Sequence, residues 1–302
     1  MLSGITRIAV IGDQIYTEET PVEDLENIVY QDGFNDGMVN GGITDLSVLT
    51  NLPNLKEVFL CNQKISDISP LQELPIEGLY VCGNQIKDFS PVEKMQELST
   101  LYLVDNPVGK MPQLSGCTKL TRLALCGNDY GTLDFLQGSS VCNLYAMGIY
   151  VEDESFGVLS TMQSLTELYT GSEQKQFYEI LPELTELRTL SLWGGNFGTD
   201  LTIVSKLVNL QNLFVNDEFV TSLSGIENLQ RLEVFCMDGT NATDISPLTK
   251  LPRLQVVRLQ GVPIVEFAPL FSCHSLQEVE ADSSQKEKIE QLGDPFFMIS
   301  VE

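Results

Sequence analysis

A single histidine, His274, limits the nucleophilic chemistry open to this 302-residue chain. Any serine–histidine or cysteine–histidine mechanism must pass through it. It stands in Ser272-Cys273-His274-Ser275, and adjacency to Cys273 in sequence is not a catalytic geometry. The seven cysteines are Cys61, Cys82, Cys117, Cys126, Cys142, Cys236 and Cys273. Their odd number and the lack of a CxxC pair read as reduced thiols, not a disulfide framework. A zinc site at Cys61 and Cys82 would need further ligands, and no histidine is near, so small half-exposed hydrophobes are expected there. No glycine-rich loop with a phosphate-binding lysine occurs. The run Asp32-Gly33-Phe34-Asn35-Asp36-Gly37 approaches a calcium loop but puts Phe34 where an oxygen ligand is required. Asn241-Ala242-Thr243 is a glycosylation sequon, meaningful only in a glycosylating compartment. The expectation is a chain that is not an enzyme and carries no metal or cofactor.

Recognition chemistry is better represented. Phe59, Tyr80, Tyr102, Tyr145, Tyr169 and Phe214 recur at one position of a repeating segment, and Trp193, the only tryptophan, lies two residues beyond that position in its own copy. Exposed aromatic residues in line supply large contact area at low entropic cost, as protein interfaces do. Cross-strand stacking alone also favours Phe and Tyr there. Farther along, Asp217, Asp238, Glu278, Glu280 and Asp282 surround Arg258 and suggest a secondary acidic region. A merely solvated acidic face is the bland alternative.

The elements that position these residues are repeats. Ile76-x-x-Leu79-x-Val81-x-x-Asn84-x-Ile86 is followed by Leu98-x-x-Leu101-x-Leu103-x-x-Asn106-x-Val108 and Leu120-x-x-Leu123-x-Leu125-x-x-Asn128. The same frame recurs from Ile5, Leu55, Val141, Leu165, Leu187, Leu210, Leu232, Leu254 and Leu276, mostly 22 residues apart, with a degenerate copy at Leu25. Alternation turns the second and third apolar positions inward on a short strand and the residue between them outward. Stacked rungs about 4.8 Å apart make a continuous parallel sheet and core that no single copy builds alone.

This pattern resembles the leucine-rich-repeat family over nearly the whole chain. The continuations Asp67-Ile68-Ser69-Pro70-Leu71, Asp88-Phe89-Ser90-Pro91-Val92 and Asp244-Ile245-Ser246-Pro247-Leu248 resemble the bacterial internalin-type subfamily. Serine before proline reads as a helix N-cap followed by its first residue, so short helical or 3-10 returns are expected on the convex side. The fold expected is an α/β, right-handed solenoid of roughly 12–13 repeats in a single domain over 1–302, with its sheet on the concave face. Three departures accompany it. The asparagine position holds Gln63, Ile149, Glu173, Gly195, Glu218, Thr240, Val262 or Ser284 outside the three clean copies, predicting less regular turns. A loop insertion is expected near 32–42. The first rung, at Ile5, has no polar cap before it, which points to a segment of a longer polypeptide. Phe296-Phe297-Met298-Ile299 reads as a closing strand or a truncated rung.

A net charge of −25 disfavours nucleic acid and anionic membranes, keeps the chain soluble, and leaves a partner with a basic patch as the sharper reading. No apolar stretch suits a membrane span or a signal peptide, so a cytoplasmic location is expected, with the cell surface as the alternative if a signal is missing from this chain. The expected function is binding of a protein or peptide through Phe59, Tyr80, Tyr102, Tyr145, Tyr169, Trp193 and Phe214. The alternatives are a targeting module of a larger enzyme, a surface-display spacer, or glycan binding.

Overall fold

Alternation within the repeats produces the expected strands. The computed structural model describes residues 4–32, 40–171, 174–195 and 197–301. These fall into two compact units, Met1–Ser164 and Leu165–Glu302. In the first unit, β1 (Arg7–Ile11), β3 (Glu57–Cys61), β4 (Gly78–Tyr80), β5 (Thr100–Tyr102), β6 (Arg122–Ala124) and β8 (Asn143–Met147) pair in that order, all parallel. β2 (Gln14–Tyr16) folds back antiparallel along the free edge of β1, with Val10 opposite Ile15. Ile8 and Val10, at this end of the stack, stay half-exposed on the side that later rungs bury. β7 (Asp129–Gly131) and β9 (Tyr150–Val151) form a small separate parallel pair behind the strands.

Register puts Ile8, Val58, Leu79, Leu101, Leu123 and Leu144 side by side on the inner face. Against them pack Leu71, Val92, Leu114 and Leu136 from short 3-10 returns at Ser69–Leu71, Ser90–Lys94, Leu114–Gly116 and Asp134–Leu136. The helical α2 (Gly157–Thr161) closes the last return. The serine N-caps expected there need correcting: Ser69 and Ser90 lie inside their returns, and the aspartate two residues earlier is the acceptor. Asp67 Oδ1 accepts from the Ser69 amide at 2.8 Å, and Asp88 Oδ1 accepts from Ser90 at 2.8 Å. Proline then costs no hydrogen bond at the start of the return.

Buried asparagines lock the turns after the strands. Asn106 Nδ2 donates to the carbonyls of Val81, Leu103 and Val104 at 2.9, 2.9 and 3.2 Å, and its Oδ1 accepts from Ile86 N at 3.1 Å. Asn84 makes the equivalent set with Leu60, Val81 and Cys82 and accepts from Ile65. Gln63 was expected to give a less regular turn, yet its longer amide reaches Gly12 O at 2.6 Å and Cys61 O at 3.1 Å and accepts from Ile43 N at 3.2 Å. Between strand and asparagine the chain turns through the left-handed region, at φ 54° for Asn62, 64° for Gly83, 53° for Asp105 and 75° for Gly127. A Cβ on Gly83 would sit 2.1 Å from Asn62 Oδ1, and one on Gly127 2.2 Å from Asp105 Oδ1. Glycine at 83 and 127 is what lets the neighbouring Asn62 and Asp105 side chains fold over it.

In the second unit β10 (Glu167–Gly171), β11 (Thr189–Trp193), β12 (Asn212–Asn216), β13 (Val234–Cys236), β14 (Val256–Arg258), β15 (Glu278–Ala281) and β16 (Met298–Val301) pair in that order, again all parallel. α3 (Lys175–Ile180) serves one return, and 3-10 turns serve the rest up to β15. The final return is a full helix, α4 (Ser283–Glu290), opened by a capping box: Asp282 Oδ1 accepts from Gln285 N at 2.9 Å and Gln285 Oε1 from Asp282 N at 3.0 Å. Gln285 Nε2 also reaches Leu259 O and Val262 O at 2.8 and 2.9 Å, so that like Gln63 it bonds the backbone of the preceding rung. The C-terminal Phe-Phe-Met-Ile run contributes to β16, which pairs parallel with β15. The calcium-like run and the loop insertion near 32–42 fall largely on residues 33–39, and Glu173 lies with them outside the described residues.

Candidate functional site

The outward residues of the first unit form three rows across β1, β3, β4, β5, β6 and β8. The central row is Ala9, Phe59, Tyr80, Tyr102, Ala124 and Tyr145, in register. A polar row, Arg7, Glu57, Gly78, Thr100, Arg122 and Asn143, runs on one side. On the other lie Ile11, Cys61, Cys82, Val104 and Cys126. Phe59 and Tyr80 stack with centroids 4.0 Å apart and planes 6° from parallel, Tyr102 tilts on Tyr80 at 5.0 Å, and Tyr145 on Tyr102 at 5.9 Å.

These aromatics were expected to face solvent, and three of them do not. Phe59, Tyr80 and Tyr102 are 0, 1 and 6 % exposed. The residues expected to form a degenerate rung at Leu25 are instead α1 (Val22–Asp32), a helix that packs on the outward face of the strands. Val22, Leu25, Glu26 and Val29 share one side of it at helical spacing; Leu25 and Val29 are buried in one cluster with the aromatic row, while Glu23, Asp24 and Asn27 face out. Cys61, Cys82 and Cys126, expected to be half-exposed, are buried in that cluster too.

Glu26 is the inward polar residue of α1. Its carboxylate accepts a short hydrogen bond from Tyr80 Oη and a fork from Arg122, Nη2 to Oε1 at 2.7 Å and Nη1 to Oε2 at 3.1 Å. Arg122 is held in aim by its Nε donating to Thr100 Oγ1 at 3.1 Å. Burial and the bond to Glu26 push the Tyr80 phenol well above its usual value. Burial opposes the Arg122 charge most strongly, but the Glu26 hydrogen bond together with the nearby Tyr80, Glu26 and Tyr102 oxygens outweighs it and raises the guanidinium above its usual value. Glu57 fares differently: burial, then the nearby Glu77 carboxylate, push it above the usual range, and its Oε2 is buried without a hydrogen-bond partner. Sequence reasoning missed Leu25, Glu26, Val29 and Arg122; the signal was apolar spacing of three and four after Pro21, with Glu23 and Asp24 in the first turn.

The second unit presents Tyr169, Ser191, Phe214, Cys236, Arg258, Glu280 and Ser300 in register. Tyr169 and Phe214 are half-buried and Trp193 is 54 % exposed, its Nε1 donating to Ser191 Oγ at 2.7 Å. The acidic region divides. Asp238 and Glu280 flank Arg258, which bonds Glu280 closely and stands 3.9 Å from Asp238. Glu278 is half-buried beside them, but Asp217 is buried and turns its Oδ1 to the Phe219 amide, and Asp282 is consumed by the α4 cap. The expectation that all five line a binding face therefore narrows to Asp238, Glu278 and Glu280.

Four of the buried thiols are held in their protonated, poorly nucleophilic form. Burial pushes Cys126 and Cys273 up to about 11 and Cys236 up to about 12, while the Cys61 thiol and burial together raise Cys82. Cys273 Sγ donates to Pro269 O at 3.4 Å, and the exposed His274 ring lies 6.5 Å from that of Phe296. Among the described residues no three potential ligands cluster as a metal site, and no helix is long and apolar enough to cross a membrane.

No protein-family model matches the chain, and no curated protein is significantly similar to it in sequence. Solved structures are similar in fold. An internalin, InlF of Listeria monocytogenes, matches 92 % of this chain and 87 % of its own at 21 % identity, with a TM-score of 0.57. The functional domain of InlJ from the same species, which includes a cysteine ladder, matches 82 % of this chain and 54 % of its own at 17 % identity and a TM-score of 0.53. A TLR13–ssRNA13 complex matches 80 % of this chain and 45 % of that one at 18 % identity and a TM-score of 0.53. Repeat, register and likeness together make this chain a leucine-rich-repeat solenoid similar in fold to the internalins.

Proposed function

We propose that the chain is a non-catalytic module that binds a protein or peptide on its strand faces. The observation carrying this is the in-register aromatic row, which in the first unit already packs a helix of the same chain. Side chains that hold α1 there are of the kind that bind helices between proteins: stacked aromatic rings beside a forked arginine. In the second unit Tyr169, Trp193 and Phe214 offer the same chemistry to a partner, and Asp238, Glu278 and Glu280 favour one with a basic patch. The net charge of −25 weighs against nucleic acid. Raised thiol values and a histidine set against Phe296 weigh against nucleophilic catalysis. Unbridged Cys61, Cys82, Cys117, Cys126, Cys236 and Cys273 favour a reducing, cytoplasm-like compartment.

The test is capture of partners from native-source lysate by the wild type, by a W193A/F214A variant, and by V48D/V265D on exposed return residues, each first shown to be folded. A partner lost only with W193A/F214A supports the reading. A partner kept by that variant and lost with V48D/V265D overturns it.

A further inference from the structure

We infer that the strand face of the first unit is a groove for an amphipathic helix with one inward carboxylate, and that α1 is its resident, competing occupant. This deepens the proposed binding function and rests on it.

The groove's requirements can be read from α1. Apolar residues at the Val22, Leu25 and Val29 positions meet the aromatic row, and a carboxylate at the Glu26 position meets Arg122 and Tyr80. Spacing of three, four and seven is that of a helix anchored along one side. What α1 presents outward carries the same sign of charge as the chain as a whole. Glu23 and Asp24 face out from a chain of net charge −25, so a competitor with lysines at those two positions keeps every inward contact and exchanges repulsion for attraction. The preferred partner is therefore a helix with an apolar-and-glutamate inner side and a basic outer side. Competition follows from covalent linkage: a tethered helix acts at an effective concentration in the millimolar range, so an outside helix sees only the fraction of molecules whose groove is open.

The experiment uses the full chain and fluorescein-labelled peptides of residues 17–32, either unchanged or carrying E23K/D24K. Anisotropy is read against the wild type and against an L25D/V29D chain, in which α1 no longer suits the groove. The E23K/D24K peptide should bind L25D/V29D at least about 10-fold more tightly than it binds the wild type, and more tightly than the unchanged peptide does. Adding R122E to the L25D/V29D chain should weaken that peptide about 10-fold or more, and a further E26K change in the peptide should recover the loss, which mere destabilisation of the chain does not do. Should L25D/V29D fail to fold, the wild type decides: excess E23K/D24K peptide should increase amide exchange in residues 22–32 of the chain. Equal affinity for both chains, insensitivity to R122E, or undisturbed exchange in α1 would overturn the inference. Those results together with a partner still lost on W193A/F214A refute the helix groove and leave the binding module standing.

Discussion

Replacing Glu26 by alanine isolates what holds α1 to the strands. Tyr80 is 1 % exposed, and the substitution leaves its hydroxyl without the acceptor it now uses. An orphaned buried donor costs about 1–3 kcal/mol. The Arg122 fork is lost as well, but its side chains are 39 % and 18 % exposed, which holds that contribution to roughly 0.5–1 kcal/mol. The helix should therefore be less securely docked by about 2–3 kcal/mol. Because a surface helix can open without the sheet unfolding, hydrogen exchange of residues 22–32 reports this more directly than a melting temperature. Their exchange should quicken by about 30- to 150-fold. E26Q keeps an acceptor for Tyr80 and loses only the charge, so its effect should be about two- to fivefold. E26A combined with R122A should fall short of the sum of the single effects, since the two side chains share one contact. Exchange changed by less than about threefold in E26A, or additivity within about 0.5 kcal/mol, would refute the reasoning.

Two further outcomes test the scaffold and its charges. N106A removes an amide that serves three carbonyls and the Ile86 amide, and should cost about 2–3 kcal/mol in urea unfolding, against under about 0.5 kcal/mol for V265A at a 79 % exposed site; similar costs for both would discount the asparagine ladder. Burial and Glu77 raise Glu57 above its unfolded value, so its contribution to stability is fully present below about pH 4.3 and is lost as pH rises through the raised value. E57Q, neutral throughout, should accordingly be more stable than the wild type at pH 7, with the gap closing on acidification to pH 4; a gap that widens on acidification contradicts the assignment.

The inward residues were legible because burial on both sides forces a strict pattern. Val58, Leu79, Leu101 and Leu123 recur at the spacing a stacked strand dictates, and nothing else satisfies it. Alternation also placed Phe59, Tyr80 and Tyr102 correctly on the outward face, but alternation assigns a face and says nothing of what lies on it. Leu25-x-x-Ile28 fits the opening of a rung as well as it fits a helix, and a template searched along the chain absorbs it. Glu26 would sit among the repeat's variable positions and instead lies inward on α1, and its meaning depends on Arg122, 96 residues away. The turns misled in the opposite sense: a ladder defined by asparagine hides the fact that Gln63 still reaches the strand-end carbonyl of Cys61 and Gln285 the Leu259 carbonyl of the preceding rung.

That separation of 96 residues between Glu26 and Arg122 also fixes an order of events during synthesis. A ribosome adds about 5–20 residues per second, so α1 is outside for several seconds before the arginine it pairs with has been made. Through that interval the helix has no completed platform, and the rungs from β3 onward assemble with their aromatic row open. Closing so long a span comes late, after the local strand-to-strand contacts have formed. The newborn chain therefore passes through an interval in which much of the aromatic row exists but the fork that completes the hold on α1 does not.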